Sequence, residues 1–230
     1  MHALLVRTEQ RPNNLSKALF SCLAMLTLSY SALAQNSSKV AIPRYDDKYS
    51  NLVRQLETGQ TNINYREFRD SFLESEQFKV VGREKPDLDT LRKTMHELMK
   101  KSKYAEIVDV AKKMLSIDYT DMEAHKILQQ TYKILGDTSN QKKYHDIEFG
   151  LLNSIVKNGD GKTCRTAWTV IQITEEYFIL DMLGAKVLQQ SIDTNGGQCD
   201  KMEVQTDEGK KVYYFEISKA FRGYNKRGIH

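Results

Sequence analysis

The strongest constraint on the fold is a change of hydrophobic periodicity near residue 158. Before this point apolar residues recur every three or four positions, and after it short β-branched and aromatic runs are separated by glycine, asparagine and aspartate. The first pattern is typical of amphipathic helices and the second of strands joined by turns. The sequence therefore predicts an α+β fold, with helices over residues 35–157 and an antiparallel β region over residues 158–230.

The helical part carries recognisable start and stop signals. Tyr49 and Leu56 share one face of a first helix, and Gly59 stands where that helix should end. Asn64 can cap a second helix, because its side chain accepts hydrogen bonds from free N–H groups of the first turn. Gly82 and Pro86 are expected to break the chain before the next helix. Further helices are predicted to begin near Asp87 or Asp89, Tyr104, Ala124 and Gln141.

Residues 88–156 resemble about one and a half tetratricopeptide repeats. Ala124, Tyr132 and the Leu-Gly pair at 135–136 match the pattern of that family, whereas Tyr119 stands where the family usually has proline. The resemblance implies helical hairpins that stack on their neighbours to bury their apolar faces. It also implies a small groove of the kind that such repeats use to hold peptides, or plain structural packing.

The β part predicts an antiparallel meander of about five strands. Turn residues at Gly184, 195–197 and 207–209 separate the apolar runs. The predicted strands are 168–173, 177–182, 186–192, 201–206 and 210–217. Their aromatic side chains are expected to form the interface with the helices.

The first 34 residues have the pattern of a cleaved export signal. Three basic residues precede an apolar stretch over 18–30, and a small-x-small pattern then ends at Ala34, which predicts cleavage before Gln35. The apolar stretch is too short and too rich in serine for a membrane anchor, which needs about 20 apolar residues. The mature chain, residues 35–230, is therefore expected to work outside the cytoplasm, either periplasmic or secreted, without a transmembrane segment.

The charge balance argues against a nucleic-acid partner. The leader holds three basic and one acidic residue, so its removal lowers the formal net charge from +4 to +2. Proteins that bind nucleic acids need a concentrated basic face to displace counterions from phosphates. The mature chain lacks that composition.

Loss of the leader also removes Cys22 and leaves an even pair of cysteines, Cys164 and Cys199. In an oxidising compartment the two can form a disulfide. Closing a loop of this length would restrict the unfolded chain by roughly 3 to 4 kcal/mol. The alternative is two separate thiols, and the sequence leaves both open.

The motifs that would indicate a metal or a phosphate ligand are incomplete. His96, His125 and His145 fall on predicted helices, but none belongs to an H-E-x-x-H pair that would place two imidazoles on one face. Residues 161–163 read Gly-Lys-Thr, as at the end of a phosphate loop, yet Val156 stands where that loop needs glycine. We expect no cofactor and no metal.

Carboxylates in the β part suggest one catalytic alternative. On a strand Glu175 and Glu176 would point to opposite faces, so an acid–base pair would need a partner from elsewhere. An envelope hydrolase would therefore use Glu175, Asp200 and residues of the helical part. The leading hypothesis is instead a non-enzymatic interaction or scaffold module for another envelope protein or peptide.

Several short patterns together resemble a secreted bacterial family, domain of unknown function 4919. They are Thr166-Ala167, Val170-Ile171, Glu175-Glu176-Tyr177, Gln189 or Gln190, Cys199-Asp200-Lys201-Met202 and Tyr214-Phe215-Glu216-Ile217. The resemblance spans most of the mature chain. It implies an export signal and helices followed by strands, and it carries no activity.

Overall fold

The computed structural model describes residues 39–194 and 197–227. The predicted leader, residues 1–34, and its cleavage site between Ala34 and Gln35 lie outside the described residues. Among the described residues, no helix combines the length and the apolar character that crossing a bilayer requires.

Within residues 39–227, as far as the structure describes them, seven α-helices precede the first strand, and most of them begin at a capping side chain. The Asn64 side chain accepts from the Glu67 N–H, as predicted, and Asp121 caps a later helix through the Ala124 N–H. Gly136 ends that helix with a φ of 76°, which suits glycine. The helices are α1 (Lys48–Glu57), α2 (Tyr65–Glu74), α3 (Glu76–Arg83), α4 (Lys85–Lys100), α5 (Tyr104–Ile117), α6 (Met122–Leu135) and α7 (Thr138–Val156).

The expected interruption falls between Gly82 and Pro86, at Glu84, but both residues lie inside helices. Gly82 lies inside α3, a short helix that Ser75 caps and that buries Phe78 and Val81. Pro86 lies in the first turn of α4. The N–H that proline lacks would have no partner within the helix at that position. The residues that suggested a break instead belong to two consecutive helices.

Tyr119, in the turn between α5 and α6, shows why proline is not needed there. Its N–H donates to the Tyr49 hydroxyl at 3.0 Å, a bond that proline could not make. Its own hydroxyl donates to Glu57 at 2.6 Å, and its carbonyl accepts from His125 Nε2 at 2.8 Å. These three bonds fasten the turn to α1 and α6 inside the core.

The C-terminal part combines a four-stranded sheet with two helices. Its elements are β1 (Trp168–Thr169), α8 (Ile173–Met182), β2 (Lys186–Asp193), β3 (Cys199–Thr206), β4 (Gly209–Glu216) and α9 (Ser218–Arg227). The strand order is β1-β4-β3-β2. Strands β2, β3 and β4 pair antiparallel, whereas β1 runs parallel to β4 with Trp168 opposite Phe215.

The α+β class is confirmed, but two features of the predicted meander are wrong. Residues 177–182 form most of helix α8 rather than a strand, and residues 168–173 supply only the two-residue strand β1. A short apolar run fits a buried strand or a buried helix equally well by periodicity alone. Glu175 and Glu176 in the first turn favour the helix, because carboxylates complement the helix dipole at that end.

A disulfide joins Cys164, in the turn after α7, to Cys199 at the start of β3, with their Cα atoms 5.8 Å apart. The bond fastens the end of the helical part to the sheet. We expect a variant with Cys164→Ser and Cys199→Ser to lose about 3 kcal/mol of unfolding free energy, because its unfolded chain is less restricted.

Urea unfolding followed by tryptophan fluorescence measures this loss. The chain has a single tryptophan, Trp168, and its buried ring stacks on Tyr213 and packs against Phe215. Reduced wild-type protein is the control and should match the double variant. A loss under about 1 kcal/mol in both would contradict a stabilising role for the bond.

His125 makes the core sensitive to acid. Burial lowers its pKa to about 3, outweighing the hydrogen bond to Tyr119, and nearby Lys143 lowers it too. In the unfolded chain His125 binds a proton near pH 6.5, whereas in the folded chain it stays neutral down to about pH 3. The stability that neutral His125 contributes is therefore fully present above pH 6.5 and is lost as the pH falls toward 3.

We expect the His125 contribution to fall by about 2 kcal/mol between pH 6.5 and pH 5. His125→Phe should be less stable than wild type at neutral pH, since it loses the hydrogen bond to Tyr119. Its free energy of unfolding should, however, lack the acid-dependent contribution of His125. Unfolding free energies of both proteins at the two pH values give the difference. Equal changes in wild type and variant would show that His125 does not titrate in this way.

Candidate functional site

An open groove of about 660 Å³ lies between helices α4, α6 and α8. This volume lies within the range of pockets that bind ligands, roughly 300 to 1,000 Å³. We call it the α4–α6–α8 groove. Helix α4 presents one face to it, because Arg92, His96 and Met99 are spaced three or four residues apart.

The apolar part of the groove is partly open to solvent. Met99 from α4 and Ile173 and Tyr177 from α8 line it, with 39%, 53% and 46% of their surfaces exposed. Beneath them Met122 and Phe178 are buried. Large apolar side chains left half-exposed around a concavity are typical of interaction sites.

A charged network forms one end of the groove. Arg92 on α4 donates to Asp121 and Glu123, and His96 Nε2 lies 3.0 Å from the other oxygen of Glu123. Burial raises the pKa of Asp121 to about 6, although Arg92 opposes this rise. The network fastens α4 to the N-terminus of α6.

A second ion pair joins α6 to α8 across the groove. Lys126 Nζ lies 3.1 Å from Asp181 and 5.5 Å from the centre of the Phe178 ring. Because Asp181 is largely exposed, this pair contributes little stability, but it places a carboxylate at the rim.

Glu175 holds α8 against the helical part through a buried ion pair. The Arg69 guanidinium donates to both of its oxygens, at 2.8 and 2.6 Å, and also to the carbonyl of Thr169 at 3.1 Å. The Ile171 N–H donates to the same carboxylate at 2.7 Å. Glu175 thus fixes the position of α8, and its oxygens are occupied by donors.

A pair of carboxyl groups, Glu176 and Asp200, lies buried between α8 and the sheet. Burial, and to a smaller extent the neighbouring Asp200 carboxylate, raise the pKa of Glu176 to about 9. Asp200 accepts from Gln190 at 2.7 Å, and Gln190 accepts in turn from the Tyr177 hydroxyl at 3.2 Å. A protonated Glu176 avoids placing two negative charges side by side in the interior.

The structure brings together other carboxylates than those the sequence suggested. Glu175 pairs with Arg69 and Asp200 with Glu176, so the predicted combination of Glu175 with Asp200 is not formed. The expectation that Glu175 and Glu176 point to opposite faces of a strand is wrong, since both are buried on α8. Neither Glu176 nor Asp200 lines the α4–α6–α8 groove.

The three candidate histidines lie apart and in different settings. His96 lines the groove, His125 is buried beside Tyr119, and His145 stacks on Phe149 at the surface of α7. Within residues 39–194 and 197–227, no group of three or more histidine, cysteine, aspartate or glutamate residues is placed to hold a metal ion.

Sequence reasoning missed the groove residues Arg92, Glu123 and Lys126. The i, i+4, i+7 spacing of Arg92, His96 and Met99 was visible in the sequence. It marks one face of a helix, but nothing in it identifies the helices that this face meets.

Comparison with known proteins supports the resemblance seen in the sequence. No curated protein and no solved structure matches the chain. A family model, by contrast, matches residues 28–226, which include every strand and site residue described above and all of the helices except the last residue of α9. The chain therefore belongs to the family called domain of unknown function DUF4919.

Proposed function

We propose that the mature chain is a non-enzymatic interaction module outside the cytoplasm, and that it holds a segment of an envelope protein in the α4–α6–α8 groove. The export signal pattern over residues 1–34 supports the compartment. The groove supports the binding role, because partly exposed Met99, Ile173 and Tyr177 line a cavity between three helices.

The arrangement of the helices agrees with the tetratricopeptide resemblance. Helices α4 and α5 pack as one hairpin and α6 and α7 as the next. The groove is lined by α4 and α6, the first helix of each hairpin, together with α8. Stacked hairpins of this kind create concave surfaces that proteins use for binding.

The geometry favours this module over the alternative of an envelope hydrolase. A general acid or base must reach the proton that it transfers. Glu175 is enclosed by Arg69 and the Ile171 N–H, and Glu176 is fully buried against Asp200. Glu175 lines the groove, but both of its oxygens are already held by Arg69 and the Ile171 N–H, and Glu176 does not line the groove.

Site-specific photo-crosslinking in the native envelope tests the proposal. A photoreactive residue replaces Ile173 in the groove, and in a matched control it replaces Ile134, which is 59% exposed on α6 but does not line the groove. We expect a discrete adduct from position 173 and none from position 134, in the extracytoplasmic fraction. Equal labelling at both positions, or uncleaved protein in the cytosol, would contradict the proposal.

A further inference from the structure

We infer that the α4–α6–α8 groove selects segments that combine a lysine or arginine with apolar side chains. This inference rests on the proposed function and adds the chemistry of the partner. It is carried by the charges that line the groove and by the partners those charges already have.

Acidic groups outnumber permanent cations along the groove. The lining carboxylates are Asp121, Glu123, Glu175 and Asp181, and the lining cations are Arg92 and Lys126. Arg69, which does not line the groove, pairs with Glu175. The other three carboxylates then face two cations, so one negative charge remains in excess. A complementary partner is therefore basic, since opposite potentials steer and select binding partners.

Both groove cations already have carboxylate partners. Arg92 donates to Asp121 and Glu123, and Lys126 pairs with Asp181. An acidic ligand would have to displace a carboxylate from one of these cations and leave it without its partner. Like-charge contacts of that kind discriminate against the wrong ligand.

Glu123 is the group best placed to receive a basic side chain. One of its oxygens accepts from Arg92 Nε, and the other lies 3.0 Å from Nε2 of His96. His96 is about half exposed on α4, so its ring can rotate outward. An incoming ammonium or guanidinium group would then replace the imidazole and form a charge-assisted hydrogen bond.

The apolar requirement comes from the other side of the groove. Ile173 and Tyr177 are separated by one turn of α8, and Met99 lies on the opposing α4. Methionine adapts its shape to different apolar partners, which suits a site that accepts a class of segments. A bound segment would cover these three side chains while its basic residue reaches Glu123.

Phage display of random peptides of about twelve residues, selected on the mature protein, tests the inference. We expect enriched sequences to carry net positive charge and at least two large apolar residues. Binding of an enriched peptide should fall about tenfold in Glu123→Gln and should stay unchanged in Glu97→Gln, an exposed control on α4. Replacing the basic residue of the peptide by serine should cause a similar loss without altering the protein.

The outcomes separate the two proposals. Enriched peptides that are neutral or acidic, or a basic peptide that binds Glu123→Gln as tightly as wild type, would overturn the cationic preference. If such peptides still lose binding in Ile173→Asp, the groove function stands. Peptides that bind wild type and Ile173→Asp equally would overturn the groove function itself.

Discussion

Replacing Arg69 with methionine should lower the free energy of unfolding by about 3 to 5 kcal/mol. The guanidinium is buried and holds both oxygens of Glu175, and Met removes these donors while keeping similar bulk. The Glu175 carboxylate then keeps the hydrogen bond from the Ile171 N–H but has lost its cation. It must either stay ionised in the interior without a counter-charge or take up a proton. Urea unfolding of the mature protein at neutral pH measures the loss.

Two further variants show that the loss comes from the buried charge. Lys79→Met breaks an exposed pair with Glu76 and should change stability by less than about 1 kcal/mol. Adding Glu175→Leu to Arg69→Met removes the stranded carboxylate and should recover a large part of the loss. Equal stability of Arg69→Met, Lys79→Met and the double variant Arg69→Met with Glu175→Leu would show that Arg69 and Glu175 do not form a buried ion pair.

Glu176→Gln should make the protein about 4 kcal/mol more stable than wild type at pH 8, with little difference at pH 5. The native pKa of Glu176 is raised to about 9 from an ordinary value of 4.5. The native state therefore binds a proton that the unfolded state has lost, and stability falls as the pH rises from 4.5 to 9. Glutamine keeps the shape of the protonated acid and removes this dependence.

The measurement is the unfolding free energy of both proteins at several pH values between 5 and 8. Asp121 and His125 also contribute to the pH dependence in this range. Their contributions are common to wild type and variant, so they cancel in the difference between the two unfolding free energies. Glu67→Gln, at an exposed pair with Lys48, is the control and should follow the wild-type profile. Parallel profiles for wild type and Glu176→Gln would show that Glu176 is ionised in the folded protein.

The elements with local end signals were predictable from the sequence. Asn64 caps α2 and Gly136 ends α6, because capping depends on residues within one turn. Helix α8 was not predictable, since its short apolar run fits either a strand or a helix. The glutamates of its first turn favour a helix, but the position of that helix depends on Glu175 meeting Arg69, which lies 106 residues earlier in the chain.

The groove depends on contacts of the same long-range kind. Arg92 and Glu123 are 31 residues apart, and Lys126 and Asp181 are 55 apart. Single-sequence patterns identify one helical face at a time and leave open which faces meet. The sequence therefore supported an interaction module in general terms, whereas the groove and its acidic excess required the assembled helices.

The two buried pairs give α8 a clear place in the proposed function. Arg69 holds Glu175 toward the helices, and Glu176 is buried beside Asp200 of the sheet, so the wall that carries Ile173 and Tyr177 is packed on both sides. A groove with rigid walls loses less conformational entropy when it binds a segment. Variants that loosen α8 should consequently weaken binding even when the groove residues are intact.

Hydrogen exchange of the mature protein, with and without a peptide selected on it, tests the central proposal most directly. We predict slower exchange in the described helices that form the groove, Lys85–Lys100, Met122–Leu135 and Ile173–Met182, and no change in the strands Gly209–Glu216 and Cys199–Thr206. Protection confined to the strands, with the three helices unchanged, would contradict binding in the groove.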